Sequence, residues 1–172
     1  MSWLRALMLL ALIVWIGGII FFAFVLAPTV FTVLPTPDLA GRVVSHSLAA
    51  LHWMGLVSGL IFLLCSISYN QIKHADPRLF SAAHLLIVIM LALTAVSQFA
   101  VTPAIRQSRS LAGFGQTAPD QQTQQGQDAR RRFDRLHAWS VRLEGSVLLL
   151  GLGVVVLTAR RDSDKQMAVG SS

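Results

Sequence analysis

The chain has 172 residues, 54% of them hydrophobic and only 13% charged, and its mean hydropathy of +0.62 lies outside the range of an ordinary soluble domain. Its formal net charge of +6 sits in flanks and connectors, which directs it toward phospholipid headgroups, and no nucleic-acid-binding module is recognisable. The single cysteine, Cys65, excludes by count intrachain disulfides, Cys-ligated iron-sulfur clusters and thiolate zinc sites.

Four apolar segments have the length a membrane demands: Ala6 to Ala27, Val43 to Tyr69, Leu79 to Ile105, and Leu136 to Ala159. A hydrocarbon core of about 30 Å needs roughly 20 helical residues. Backbone groups cannot stay unpaired in lipid, and no period-2 alternation suggests a barrel, so the expected fold is all-α, an integral membrane four-helix up-and-down bundle. Its helices are expected at about 4–27, 43–69, 79–103 and 136–159, within a transmembrane domain 1–159 followed by a polar tail 160–172.

Arg5 precedes the first segment as in a secretory signal, but the run is longer than a signal core of about 7 to 15 residues and no A-x-A site follows. It is therefore read as helix one. Pro28 removes a backbone donor and is expected to end that helix, with Thr29 to Asp38, including Pro35 and Pro37, as a connector. Arg42, Ser45, His46 and Ser47 give helix two an interfacial beginning. Asn70 to Arg78 reads as a tight polar connection with Pro77 near the start of helix three, which makes helices two and three antiparallel neighbours.

The stretch 106–135 is Gln-rich, with Gln116, Gln121, Gln122, Gln124, Gln125 and Gln127 beside Gly113, Gly115, Pro119 and Gly126, and is read as a polar loop that cannot order itself. From Ala129 the pattern is helical again. Phe133, Leu136, Ser140 and Leu143 share a stripe while Arg130, Arg131, Arg132 and Arg135 cluster elsewhere, an amphipathic approach to helix four at an anionic surface. Counting Lys and Arg on the two membrane faces gives six against seven, which does not orient the chain. The expected location is multi-pass in a bacterial cytoplasmic (inner) membrane.

Helix four poses the sharpest question, because its uncharged run Gly145 to Ala159 covers only about 22 Å. To cross, it must draw in Ser140, Arg142 and Glu144, and intramembrane ionisable groups mark partners or function. His137, Ser140 and Glu144 lie on one face of that helix, and Arg142 points elsewhere. Up-down connectivity puts His52, near the start of helix two, and Gln98, near the end of helix three, at the same membrane face. The expectation is a polar intramembrane cluster of Gln98, Ser140, Arg142 and Glu144 with the histidines: either a pocket for a headgroup, proton or cofactor, or a hydrogen-bonded helix contact.

Haem b, or a chlorophyll-type pigment, would need imidazoles facing each other between helices. Of His46, His52, His84 and His137, topology allows His52 with His137 as the cofactor-binding pair, or His46 in place of His52. Gly55 and Gly59 form a G-x-x-x-G motif, and Gly17-Gly18 offers a similar close approach on helix one; both are helix-packing signals, for a partner inside the chain or on another subunit. No catalytic constellation or metal-ligand set is recognisable, so an enzyme is not expected.

Several phrases occur together: Val14-Trp15-Ile16-Gly17-Gly18, Phe21-Phe22, Ala27-Pro28-Thr29-Val30-Phe31, Leu51-His52, and Phe133-Asp134-Arg135-Leu136-His137-Ala138-Trp139-Ser140. In this order they resemble the four-helix domain family typified by the animal cisplatin-resistance-associated transmembrane protein, over residues 5–159. The resemblance implies four membrane helices and assigns no activity. More distantly, Trp15-Ile16-Gly17-Gly18 is similar to copper-resistance-D-like membrane proteins and membrane haem-pathway oxidases, although Ala6 to Leu9 stand where those carry a histidine. The leading functional expectation is a non-enzymatic accessory or scaffolding subunit of a larger membrane complex, respiratory or photosynthetic. The alternatives are a haem- or pigment-binding electron carrier using His52 and His137, and a small transporter or lipid-handling protein built on His52, Gln98, His137 and Glu144.

Overall fold

The computed structural model describes residues 2–72, 82–112 and 124–170. Among these residues every regular element is helical, and four helices are long and apolar enough to cross a bilayer: Trp3–Val33, Pro37–Ser68, Ala82–Leu111 and Gln124–Thr158. The first span comprises α1 (Ser2–Phe21), a π-helical turn (Phe22–Leu26) and α2 (Ala27–Val33); the second is α3 (Pro37–Ile72). The third comprises α4 (Ala82–Val96), a second π-helical turn (Ser97–Val101) and α5 (Thr102–Leu111), and the fourth is α6 (Gln124–Gly170).

Pro28 does not end helix one. An interior proline has no N–H to give the carbonyl four residues back, and its ring collides with that carbonyl. Here the turn before it is widened: the Ala27 N–H bonds the Phe22 carbonyl, five residues back, and the helix continues to Val33. Helix three solves the same problem in the same way, with Thr102 N–H on the Ser97 carbonyl immediately before Pro103. Both sites read Phe-x-x-x-Pro, from Phe24 to Pro28 and from Phe99 to Pro103.

The connector expected over Thr29 to Asp38 shrinks to residues 34–36. Thr36 caps the next helix through its side-chain oxygen, 3.3 Å from the Leu39 N–H, and Pro37 occupies the first helical position, where no donor is needed. The connection expected over Asn70 to Arg78 lies, from Lys73 on, outside the described residues. So do Gln116, Gln121 and Gln122.

In the described parts of 106–135, helix stands where a loop was expected. Helix three runs on to Leu111 and α6 begins at Gln124, so Gln124, Gln125, Gln127 and the arginines 130–132 and 135 are helical. The two extensions pack against each other, burying Ile105, Ser108, Ala112 and Ala129. Tertiary contact supplies the order that composition alone could not. At its other end α6 continues through the segment expected as a polar tail, to Gly170.

The spans form a ring in which the first packs on the second and fourth, and the third packs on the second and fourth, leaving the second and fourth diagonal to each other. Trp15, Ile87, Met90, Val147 and Val154 fill the middle, each 2% exposed or less. Outward-facing residues are apolar instead, with Phe24 and Leu149 each 71% exposed, as helices solvated by lipid require. From Phe22 on, the first span buries no residue and leans on the second span.

Glycines set how close the first two helices come. A Cβ on Gly55 would overlap the indole of Trp15, and one on Gly59 would lie 2.6 Å from both Trp15 Cζ3 and Leu91 Cδ2. Gly18 in turn receives Leu51 and Met54. The G-x-x-x-G motif is thus used within the chain. Gly17 departs from the packing role expected of it: it is exposed on the surface of helix one, and a Cβ there would meet nothing within 4 Å.

Candidate functional site: a histidine across the bundle diagonal

His52 follows Leu51 on the buried stripe of α3 that continues through Gly55, Ser58, Gly59 and Phe62, so helical periodicity carries its ring into the bundle, where it is 1% exposed. Its Nδ1 lies 3.0 Å from Gln98 Oε1 on the π turn of the third span. Its Nε2 lies 2.5 Å from Glu144 Oε1 on α6, across the diagonal. Three spans are therefore joined through one imidazole.

The partners fix the ring's chemistry. Gln98 Oε1 can only accept, so Nδ1 carries a proton and donates it. That leaves Nε2 as the variable position: a protonated Nε2 donates to a Glu144 carboxylate, and a bare Nε2 accepts from a Glu144 carboxylic acid. The Glu144 side chain is 16% exposed against 1% for His52, so the carboxyl end of the pair faces the outside.

Of the residues expected in the cluster, His52, Gln98 and Glu144 meet. Ser140 is buried at 4% one turn away on the same helix. Arg142 points outward, its guanidinium carbon 5.7 Å from the centroid of the Trp139 ring. His137 does not reach His52: it is exposed and stacked on Phe133, with centroids 6.0 Å apart. It shares Glu144's helical face but lies about 10 Å farther along the axis.

The haem or pigment pair therefore does not fit. Both nitrogens of His52 are engaged by Gln98 and Glu144, His46 bonds the Arg42 carbonyl of its own helix at 2.9 Å, and His84 Nε2 lies 2.7 Å from Ser66 Oγ. No group of three or more His, Cys, Asp or Glu among the described residues could hold a metal ion.

Two features escaped sequence reasoning. Arg109 donates to the Asp38 side chain at 2.8 Å and to the Asp38 carbonyl, while Arg42 holds the other carboxylate oxygen at 2.9 Å, so the start of the second span is clamped to the end of the third. Asp38 and Arg109 fall in stretches expected to be connector and loop, where no periodicity could pair them. The other is Ser97, next to Gln98 and fully buried, whose hydroxyl has no hydrogen-bond partner. Its signal was present in the sequence as a polar residue in the apolar period of Ile87, Met90 and Thr94.

Comparison with known proteins adds a family and no activity. A family model described as a domain of unknown function, DUF4149, matches residues 10–112, well over half of the chain. The matched region holds most of the first span and the whole of the second and third, with His52 and Gln98, and ends before Glu144. No curated protein and no solved structure matches the chain. The chain belongs to the DUF4149 family.

Proposed function

We propose that this protein is a small membrane transporter whose working element is the proton shared by His52 and Glu144. The observation that carries this reading is the buried contact of the two ionisable groups at 2.5 Å inside an apolar bundle. Ionisable groups at membrane depth cost about 2.5 to 3.5 kcal/mol each on insertion scales, and they are kept where they move ions or protons or hold a partner. A proton reaches the pair through the Glu144 carboxyl, the more exposed of the two, and the change in charge alters the force between the second and fourth spans. Gln98 holds the ring in one tautomer throughout.

The transporter reading is preferred over an accessory subunit of a respiratory or photosynthetic complex because Gly18, Gly55 and Gly59 are filled by the chain's own side chains. They offer no support for a partner helix. The finer kinship with the family of the cisplatin-resistance-associated transmembrane protein, and a place in a bacterial inner membrane, belong to the same proposal.

The test is proton uptake into vesicles that carry the purified protein and an internal pH dye, driven by an imposed potential. Wild-type vesicles should acidify several-fold faster than empty ones. Glu144→Gln, which keeps the shape and a hydrogen bond to Nε2, should return the rate to background while melting within a few degrees of wild type. Wild-type vesicles no faster than empty ones, or a Glu144→Gln variant as fast as wild type, would overturn the proposal.

A further inference from the structure

On the outward side of α6, Arg132, Arg135, Trp139 and Arg142 follow one another at intervals of three, four and three residues, and all four are exposed. This spacing keeps them on one stripe. The stripe begins in the helical extension beyond the membrane and ends where the uncharged run from Gly145 begins, so it crosses the level of the lipid headgroups. Below it, Leu149 and Val156 continue the same side of the helix as apolar surface, 71% and 50% exposed.

Side chains on a helix lean toward its N-terminus. In α6 that direction leads from the apolar run to the polar extension, so Arg142 reaches back over Trp139 and lifts its guanidinium out of the hydrocarbon. Trp139, 58% exposed, fits the interfacial layer, where indoles collect. Arg135 leans the same way, so the two guanidinia stay about 10 Å apart; the Arg142 guanidinium over Trp139 suits a phosphate above an acyl chain lying along Leu149 and Val156, and Arg135 adds positive charge farther out.

We infer that this stripe is a binding site for an anionic phospholipid, with Arg142 holding the phosphate, Arg135 drawing the negative headgroup toward the stripe, and Trp139 lying against the glycerol region. The charge balance supports one occupant sign: from Asp128 to Arg142 five arginines stand against Asp128 and Asp134, and Asp134 lies on a different side of the helix from Trp139. Asp128, one turn beyond Arg132, opposes the outer end of the stripe and leaves Arg142 unaffected. The site stands independently of the His52–Glu144 pair.

The test uses the full chain in phosphatidylcholine vesicles containing either brominated phosphatidylglycerol or brominated phosphatidylcholine. Quenching of Trp139 is taken as the difference between the protein and its Trp139→Phe variant. Each surface arginine contributes about fivefold to an anionic lipid's preference, so phosphatidylglycerol should be favoured by about fivefold or more. Arg135→Gln/Arg142→Gln should bring the ratio close to one, and Arg5→Gln, at the opposite membrane face, should leave it unchanged. Equal quenching by the two lipids in the wild type, or a preference retained by the double variant, would overturn the inference. Displacement of the lipid by millimolar glycerol phosphate would overturn it too, by assigning the site to a free anion.

Discussion

At Gly55 the fit between two helices depends on one missing methyl group. The Trp15 indole occupies the volume where a Cβ would stand, and an aromatic ring packed at 2% exposure has no alternative rotamer to retreat to. Gly55→Ala should therefore destabilise the bundle by about 1–3 kcal/mol, read as a lower midpoint in detergent unfolding. Gly17→Ala, with open space at its Cβ, should be neutral or raise the midpoint slightly, since alanine is the better helix former by about 1 kcal/mol. A Gly55→Ala variant as stable as wild type would mean the first two helices are not in contact there. The sequence showed both glycine pairs but could not say which side of helix one faced inward. His52, Gln98 and Glu144 were legible because a polar residue in an apolar period must turn inward and up-down topology sets its height. His137 was misjudged for a related reason: periodicity names a helix face, and only packing says whether a neighbour covers it.

Among the elements, the third span shows why prolines and composition misled. Its buried residues step by four, three, four and three from Ala83 through Ile87, Met90 and Thr94 to Ser97, then by five to Thr102, then by three, three and four to Ala112. The step of five is the π turn, one residue more than an α-helix needs, absorbed without rotating the helix beyond it. Deleting Ala100, an exposed residue of this turn, should leave α5 in register and keep Arg109 on Asp38. Deleting Ala92 in α4 should rotate everything after it by about 100° and separate that pair. A lower melting temperature for the Ala92 deletion than for the Ala100 deletion checks this, and the reverse order would refute it. The helical residues at 106–111 and 124–128 were invisible to composition because their order comes from the partner helix, through small contacts such as Ser108 and, one residue on, Ala129.

For the molecule as a whole, the four crossings were readable from length alone, because lipid leaves few alternatives to a helix of about 20 apolar residues. Their unequal reach has a further consequence. The apolar surface of the first span extends from Ala6 to Val33, about 40 Å, whereas the uncharged run of α6 covers about 22 Å. Lipid on the α6 flank meets a hydrophobic belt several ångströms too short, and lipid on the neighbouring first-span flank meets one too tall. A body of this shape either tilts or pinches the bilayer on one side, at a cost of fractions of a kcal/mol for each ångström of mismatch. The protein should melt higher in vesicles of shorter-chain phosphatidylcholine than in long-chain ones, and a midpoint that rises steadily with chain length would contradict that. The short flank is thus a gauge of membrane thickness, and it would sort this chain toward the thinner regions of the membrane that holds it.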